Sequence, residues 1–176
     1  EIVIEIPKNS KVKYEIINNR IYVDRILYGA YVYPMNYGYF ENTLDWDGDP
    51  LDGLVIADQS FVPGAIVKVR IIGAVKMIDA GETDTKIIAV IVNDPRYTHI
   101  KTTSDLNSHI LKELKDFFEN YKNLQNKKVV IDGFENEAYA INEIEETTEL
   151  FNKYHEWDKD EFVAKMKKLH PNKYPN

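Results

Sequence analysis

The sequence predicts an α+β fold built around a small β-barrel or sandwich. Short apolar runs of strand length recur through roughly the first 100 residues, with turn residues between them. After them come stretches whose apolar residues recur at spacings of three and four, the period of a helix. A length of 176 residues fits one domain over 1–176, with residues 147–176 as a C-terminal helical extension.

The elements follow in order. Ile2, Val3, Ile4 and Ile6 make a short strand stopped by Pro7, which has no N–H to give to a ladder. Val12 to Ile17 is a second run, Asn18-Asn19 a hairpin turn, and Ile21 to Leu27 the returning strand. Alternation puts Lys13 and Glu15 on one face, Tyr14 and Ile16 on the other. Residues 28–53 lose periodicity and hold Tyr28, Tyr31, Tyr33, Tyr37 and Tyr39 among glycines, prolines and acids; a loop of that length in a compact domain is usually functional. Strands resume at Leu54 to Ala57, Ile66 to Ile72, Ile87 to Val92 and Lys128 to Ile131. Leu106, Ile110, Leu114, Phe117, Tyr121 and Leu124 trace one helical face after Ser104 or Asp105 as N-cap. Ile141, Ile144 and Leu150 mark a second helix running towards Tyr154. Asp158, with Glu161 three residues on, resembles a capping box for a last short helix carrying Phe162, Met166 and Leu169. Residues 129–152 hold seven acids and no Lys or Arg, and residues 153–173 hold six lysines; the expected reading is two solvated helix surfaces of opposite sign.

Composition narrows the function classes. With 44% hydrophobic and 29% charged residues the chain can bury a core, which excludes a disordered or low-complexity protein. A formal charge of −7 argues against nucleic acid as partner, since affinity for phosphate backbones comes largely from Lys and Arg. The absence of cysteine removes disulfides, thiolate catalysis and Cys-based metal sites. No apolar run approaches the roughly 18–20 residues that span a bilayer. Glu1 to Pro7 carries two acids and is too short for a signal peptide; the absence of cysteine makes a cytoplasmic protein, with no membrane partner, the expectation.

The informative segment runs from Glu41 to Asp52. Glu41, Asp45, Asp47, Asp49 and Asp52 put five acids and no base in twelve residues, where 29 acids in 176 predict about two. Two carboxylates about 5 Å apart repel by roughly 3 kcal/mol at an effective dielectric near 20. Several held together need cations, and oxygen-only ligands suit a hard ion such as Mg²⁺, Mn²⁺ or Ca²⁺. An EF-hand does not fit. Counting from Asp45 puts Pro50 where Gly is required and Ile56 where Glu is required; counting from Asp47 puts Leu51 and Asp52 at the fifth and sixth positions. A second acidic patch, Asp79, Glu82 and Asp84, is followed by Lys86, and Lys13 and Arg25 stand among the early strands. Carboxylates facing Lys, Arg and Tyr donors suit a small, highly charged phosphate compound held with metal ions. A non-catalytic binding module and a Ca²⁺-stabilised structural loop are the competing readings. His99, His109, His155 and His170 show no metal-ligand spacing.

These residues carry a resemblance. Asp47-Gly48-Asp49-Pro50-Leu51-Asp52 matches the D-G-D-P-x-D signature of family I soluble inorganic pyrophosphatases. Glu5, Lys13-Tyr14-Glu15, Asp24-Arg25, Tyr33 to Tyr39, Asp79, Asp84-Thr85-Lys86 and Tyr121-Lys122 follow in the family's order over about residues 1–145. The resemblance implies a five-stranded OB-like β-barrel with helices packed outside, and Mg²⁺-dependent hydrolysis of pyrophosphate to two orthophosphates, with Mn²⁺ or Zn²⁺ as substitutes. Carried over by position, Asp47, Asp52 and Asp84 would bind the first metal. Asp52 would reach a second metal, and Asp79 with Asp84 a further one. Glu5 and Glu15 would meet the ion that arrives with substrate. Asp49 would be the base at the attacking water. Lys13, Arg25, Tyr37, Lys86, Tyr121 and Lys122 would hold phosphate oxygens, and Tyr33 and Asn36 would line the cavity. A homo-oligomer, a hexamer in short prokaryotic members, is also implied. Two positions depart from the pattern, Asp116 and Asn120, which stand where some hexameric members carry histidines.

Overall fold

The computed structural model describes residues 1–175; Asn176, the last residue of the expected extension, lies outside the described residues. The strands are β1 (Ile2–Ile6), β2 (Val12–Ile17), β3 (Arg20–Ile26), β4 (Asn36–Tyr39), β5 (Asp52–Ile56), β6 (Ile66–Val67), β7 (Val69–Asp79), β8 (Glu82–Thr83), β9 (Lys86–Ile91) and β10 (Val129–Glu135). The helices are α1 (Ser108–Asn120), α2 (Glu137–Tyr154) and α3 (Lys159–Leu169). One sheet runs in the order β10-β7-β9-β5-β4-β1-β6, with β8 folded back on the end of β7. Every pairing in it is antiparallel except β5 with β9. β2 and β3 form a separate hairpin whose turn residues Asn18 and Asn19 both take positive φ, 51° and 59°, as a two-residue hairpin loop favours.

The central strands are buried on both faces, which is why they read as continuous apolar runs. Leu54 and Ile56 of β5, with Ile88 and Val90 of β9, enter a core closed by Leu114, Phe117 and Phe118 of α1. Val55, Ile87 and Ala89 face the other way, into a core shared with Ile2, Ile4 and Ala140 of α2. A third, smaller cluster joins Trp46 to Leu150 of α2 and to Phe162 and Met166 of α3.

Several expectations change. The described ladder has more than the expected five strands, and a closed five-stranded barrel does not follow from its pairing. β4 falls inside the stretch read as loop. Its Gly38 is required because a Cβ there would lie 2.0 Å from the Val3 carbonyl oxygen, so a glycine that reads as a breaker marks a close strand approach. β7 runs on past Ile72 to Asp79 for the same reason: a Cβ on Gly73 would lie 2.5 Å from the Glu135 carbonyl oxygen of β10. The α1 N-cap is Asn107, whose side chain accepts from the His109 amide, in place of Ser104 or Asp105. Asp158 caps α3 as expected, accepting from the amides of Asp160 and Glu161. α2 carries through Thr147 without a break. No helix among the described residues is long and apolar enough to cross a membrane.

Candidate active site

The acid-rich loop between β4 and β5 is a wound, anchored turn. Thr43 Oγ donates to the Phe40 carbonyl at 2.7 Å and accepts from the Leu51 amide at 2.9 Å. The Asp45 amide donates to the Asp49 carbonyl at 2.7 Å, and the Gly48 amide to the Asp45 carbonyl at 2.9 Å. Gly48 takes φ +83°, a conformation other residues adopt only with strain. The Asp49 amide donates to Asp47 Oδ1 at 3.0 Å. Trp46, 2% exposed, pins the loop to the third cluster.

A cavity of about 390 Å³ opens beside this turn, lined by Glu5, Lys13, Glu15, Tyr37, Asp47, Asp49 and Asp52 among others. Arg25, Asp79, Asp84, Lys86, Tyr121 and Lys122, expected at the site, do not line this cavity, and strand register sets Lys86 against its Asp52 and Tyr37. Asp52 sits opposite Tyr39 on β4 and opposite Lys86 on β9. The Lys86 ammonium lies 2.6 Å from Asp52, 2.8 Å from Asp84 and 3.1 Å from the Tyr37 hydroxyl, which itself donates to Asp52. Lys86 is 2% exposed. Burial alone would lower its ammonium; Asp52 and Asp84 outweigh that and hold it well above the usual lysine range. Burial raises the Asp84 carboxyl against the pull of Lys86. Asp79 pairs with Lys122. Tyr121 stacks on Phe117 at 4.9 Å, and the Tyr33 ring stands 5.6 Å from that of Tyr37 and 6.5 Å from that of Tyr121.

On the hairpin side, Lys13 lies 2.8 Å from Glu15 and 3.0 Å from Asp24, and Arg25 lies 2.6 Å from the same Asp24 oxygen. The Arg25 Nε is buried and has no partner among the described residues. Glu5 accepts from the Ile16 amide at 3.0 Å, and burial pushes its carboxyl up to about 7 against that hydrogen bond. Asp47 also rises to about 7, through burial and then the charges of Asp84 and Asp49.

The structure does not bring Asn36 to the cavity. Alternation along β4 turns Tyr37 and Tyr39 towards it and Asn36 away. The buried Asn36 amide accepts from the Lys8 and Phe61 amides and donates to the Gln59 carbonyl. Tyr33 is buried behind the lining.

Sequence reading gave no role to three further residues. Asp24 ties Lys13 to Arg25; its place between two bases in the hairpin was the available signal. Asp45 is buried under the turn with its carboxylate on the Trp46 amide, and burial with the charges of Asp47 and Asp84 pushes it well up. Lys159 of α3 lies 2.6 Å from Asp49, a contact between segments with no local pattern to announce it. The two-surface reading of the late acids and lysines is corrected in part. Lys167 reaches Glu82 at 2.9 Å, and Lys173 reaches Glu146 at 2.8 Å and the buried Glu143 at 3.3 Å, because α3 folds back over the acidic segments.

The donor set fits divalent cations. It is all oxygen, and burial first, with neighbouring carboxylates adding to it, raises the Glu5 and Asp47 carboxyls, a cost that a bound cation would offset. Among the described residues no three acids or histidines converge closely enough to hold an ion as they stand. Lysines 13, 86, 122 and 159 neutralise the carboxylates instead.

The family described as inorganic pyrophosphatase matches residues 2–152. The chain belongs to the inorganic pyrophosphatase family. It is 63% identical to the inorganic pyrophosphatase of Malacoplasma penetrans over 175 residues, covering 98% of this chain and 97% of that protein. A soluble inorganic pyrophosphatase of Oryza sativa is 46% identical over 154 residues, covering 86% of this chain and 72% of that one. Among solved structures, the Helicobacter pylori inorganic pyrophosphatase is similar with a TM-score of 0.83 and 44% identity, over 86% of this chain and 92% of that chain. Membership places the chain among hydrolases that act on pyrophosphate and use a divalent metal. α3 lies beyond the 2–152 segment of that match but within the stretch aligned with the Malacoplasma penetrans protein.

Proposed function

We propose that this chain hydrolyses pyrophosphate to two orthophosphates with Mg²⁺, in the cytoplasm. The observation that carries the reading is the facing of Asp47, Asp49, Asp52, Glu5 and Glu15 across one cavity that Lys13 and Tyr37 also line. Asp47, Asp52 and Asp84 would hold one ion, Asp52 would reach a second, Asp79 with Asp84 a third, and Glu5 with Glu15 the ion that enters with substrate. Bound ions supply charge neutralisation and a water made more acidic. Mn²⁺ or Zn²⁺ would serve as substitutes.

Asp49 accepts the proton of the attacking water; it is the most exposed of the turn's aspartates and lines the cavity. The water oxygen bonds to one phosphorus, the bridging P–O bond breaks, and the second phosphate leaves with the bridging oxygen. Arg25 presents a planar fork to phosphate, and its partnerless Nε is a donor waiting for an acceptor. Lys13 and Lys122, each now paired with a carboxylate, turn to phosphate oxygens as charge builds on them, and Lys86 offers its charge from its fixed place between Asp52 and Asp84. Tyr37 and Tyr121 add hydroxyl donors, and Tyr33 props both rings. The same reading takes β1, β4, β5, β7 and β9 as the OB-like barrel, with β6, β8 and β10 added to it.

Self-association goes with this function. The β2–β3 hairpin exposes Ile21, Val23 and Ile26, an apolar face that a second copy in a homo-oligomer, a hexamer, would cover. A sedimentation mass near the 20.5 kDa of one chain would remove that part. The function itself is tested by phosphate release from pyrophosphate with Mg²⁺, run beside a single-stranded oligonucleotide titration. Release that stops with a chelator is expected; oligonucleotide binding without release would replace the reading.

A further inference from the structure

α3 reaches both acid-bearing segments of the site. Lys159, in its first turn, pairs with Asp49 at 2.6 Å; Lys167, two turns later, pairs with Glu82 at 2.9 Å, on the short strand between Asp79 and Asp84. Positions eight apart share one helix face. Between them, Phe162 and Met166 are buried against Trp46, the residue that pins the acidic turn. The segment after α3 adds to the hold. The Tyr174 hydroxyl donates to the Trp46 carbonyl at 2.6 Å, and the Lys173 ammonium stands 4.7 Å from the centre of a Trp46 ring while pairing with Glu143 and Glu146.

Lys159 does more than neutralise a surface charge. Its stem lies flat on the turn: a Cβ built on Gly48 would come within 2.8 Å of Lys159 Cγ. Its stem thus crosses the turn before its ammonium reaches Asp49, and the Asp49 backbone is wound into the same turn through its amide on Asp47 and its carbonyl under the Asp45 amide. Of the turn's carboxylates, Asp49 has the least support from the sheet. Asp52 is held by Lys86 and Tyr37, and Asp45 is buried, whereas the Asp49 side chain is 60% exposed with Lys159 as its cationic partner.

We propose that Lys159 is a positioning residue for the hydrolytic reaction, setting the direction of the Asp49 carboxylate from a helix that lies outside the matched family segment. The inference rests on the pyrophosphate reading for its catalytic consequence. Lys167, through Glu82, holds the second acidic segment to the same helix, so α3 spans the two halves of the carboxylate set.

The test uses the full chain with Lys159→Met and Lys159→Arg, read in two ways. In turnover of pyrophosphate with Mg²⁺, Lys159→Met should lower kcat about tenfold with KM within about twofold, since a misdirected group costs rate more than binding. Lys159→Arg, which can reach the same carboxylate, should recover most of that loss. In the metal-free protein, the amides of Asp45, Gly48 and Asp49 should exchange hydrogen faster in Lys159→Met than in the parent, and at the parent rate in Lys159→Arg. The two variants should melt together, because both charges of the pair are largely exposed. An active parent with unchanged kcat in Lys159→Met, or an arginine variant no better than the methionine one, overturns the proposal. A parent with no turnover removes the pyrophosphate reading, and the exchange measurement then decides alone: unchanged exchange in Lys159→Met overturns the positioning.

Discussion

Two lysines hold carboxylates of one site in opposite ways. Lys86 is 2% exposed, threaded between Asp52, Asp84 and Tyr37 by the parallel register of β5 and β9. Lys159 is 52% exposed and meets Asp49 from a helix laid over the turn. A buried charge network is costly to break because each partner left behind is an uncompensated ion, whereas an exposed pair contributes at most about 1 kcal/mol. The inner half of the site is thus part of the framework. The outer half is held in place by contacts that can be exchanged without unfolding anything, which suits groups that must move on and off a substrate.

The contrast predicts its own largest effect. Lys86→Met should cost the metal-free protein about 3–5 kcal/mol, by leaving the buried Asp84 and the partly buried Asp52 without their cation, and should abolish turnover. Thermal unfolding in chelator measures it, and a melting point equal to the parent's would show that the inner half is not framework. Next comes Arg25→Lys on the outer side. The guanidinium fork is lost but the charge is kept, so kcat should fall on the order of 10²–10³ while stability changes by no more than about 0.5 kcal/mol. Kinetics beside a melting curve separate the two, and a raised KM with unchanged kcat would mean uniform binding instead.

A smaller effect lies in the pH dependence of the metal-free protein. Asp47 and Glu5 have folded-state values raised to about 7, from 3.8 and 4.5. Between about pH 4 and pH 7 the folded chain keeps protons that the unfolded chain has released, so stability falls as pH rises through that window. Asp47→Asn cannot lose that proton. It should match the parent near pH 4 and exceed it at pH 8 by on the order of 2 kcal/mol. Parallel melting curves of parent and variant would sink the point.

The same division explains what the sequence made legible. Strands buried on both faces, Leu54 to Ile56 and Ile87 to Val90, announce themselves as apolar runs, and Asp158 announces α3 through its cap. β4 and the far half of β7 do not, because Gly38 and Gly73 look like breaks in a one-dimensional pattern and are close approaches in three dimensions. The candidate site was legible where its residues share a turn: the Asp47 to Asp52 spacing was enough to locate it. Lys159 was not, since its partner stands far away in the chain and lysines on a late helix read as solvated surface. Asn36 misled for the opposite reason. It sits beside Tyr37 in sequence, yet strand alternation turns neighbours to opposite faces.

We propose a division of labour within one turn, in which Asp52 holds metal and Asp49 handles the water. Mg²⁺ titration of Asp52→Asn and Asp49→Asn by calorimetry, with kcat measured on both, tests it directly. The account predicts Mg²⁺ affinity weakened at least about tenfold in Asp52→Asn and close to the parent's in Asp49→Asn, with kcat falling by about 10²-fold or more in the latter. Parent-like Mg²⁺ affinity in both variants, or full turnover in Asp49→Asn, would contradict it.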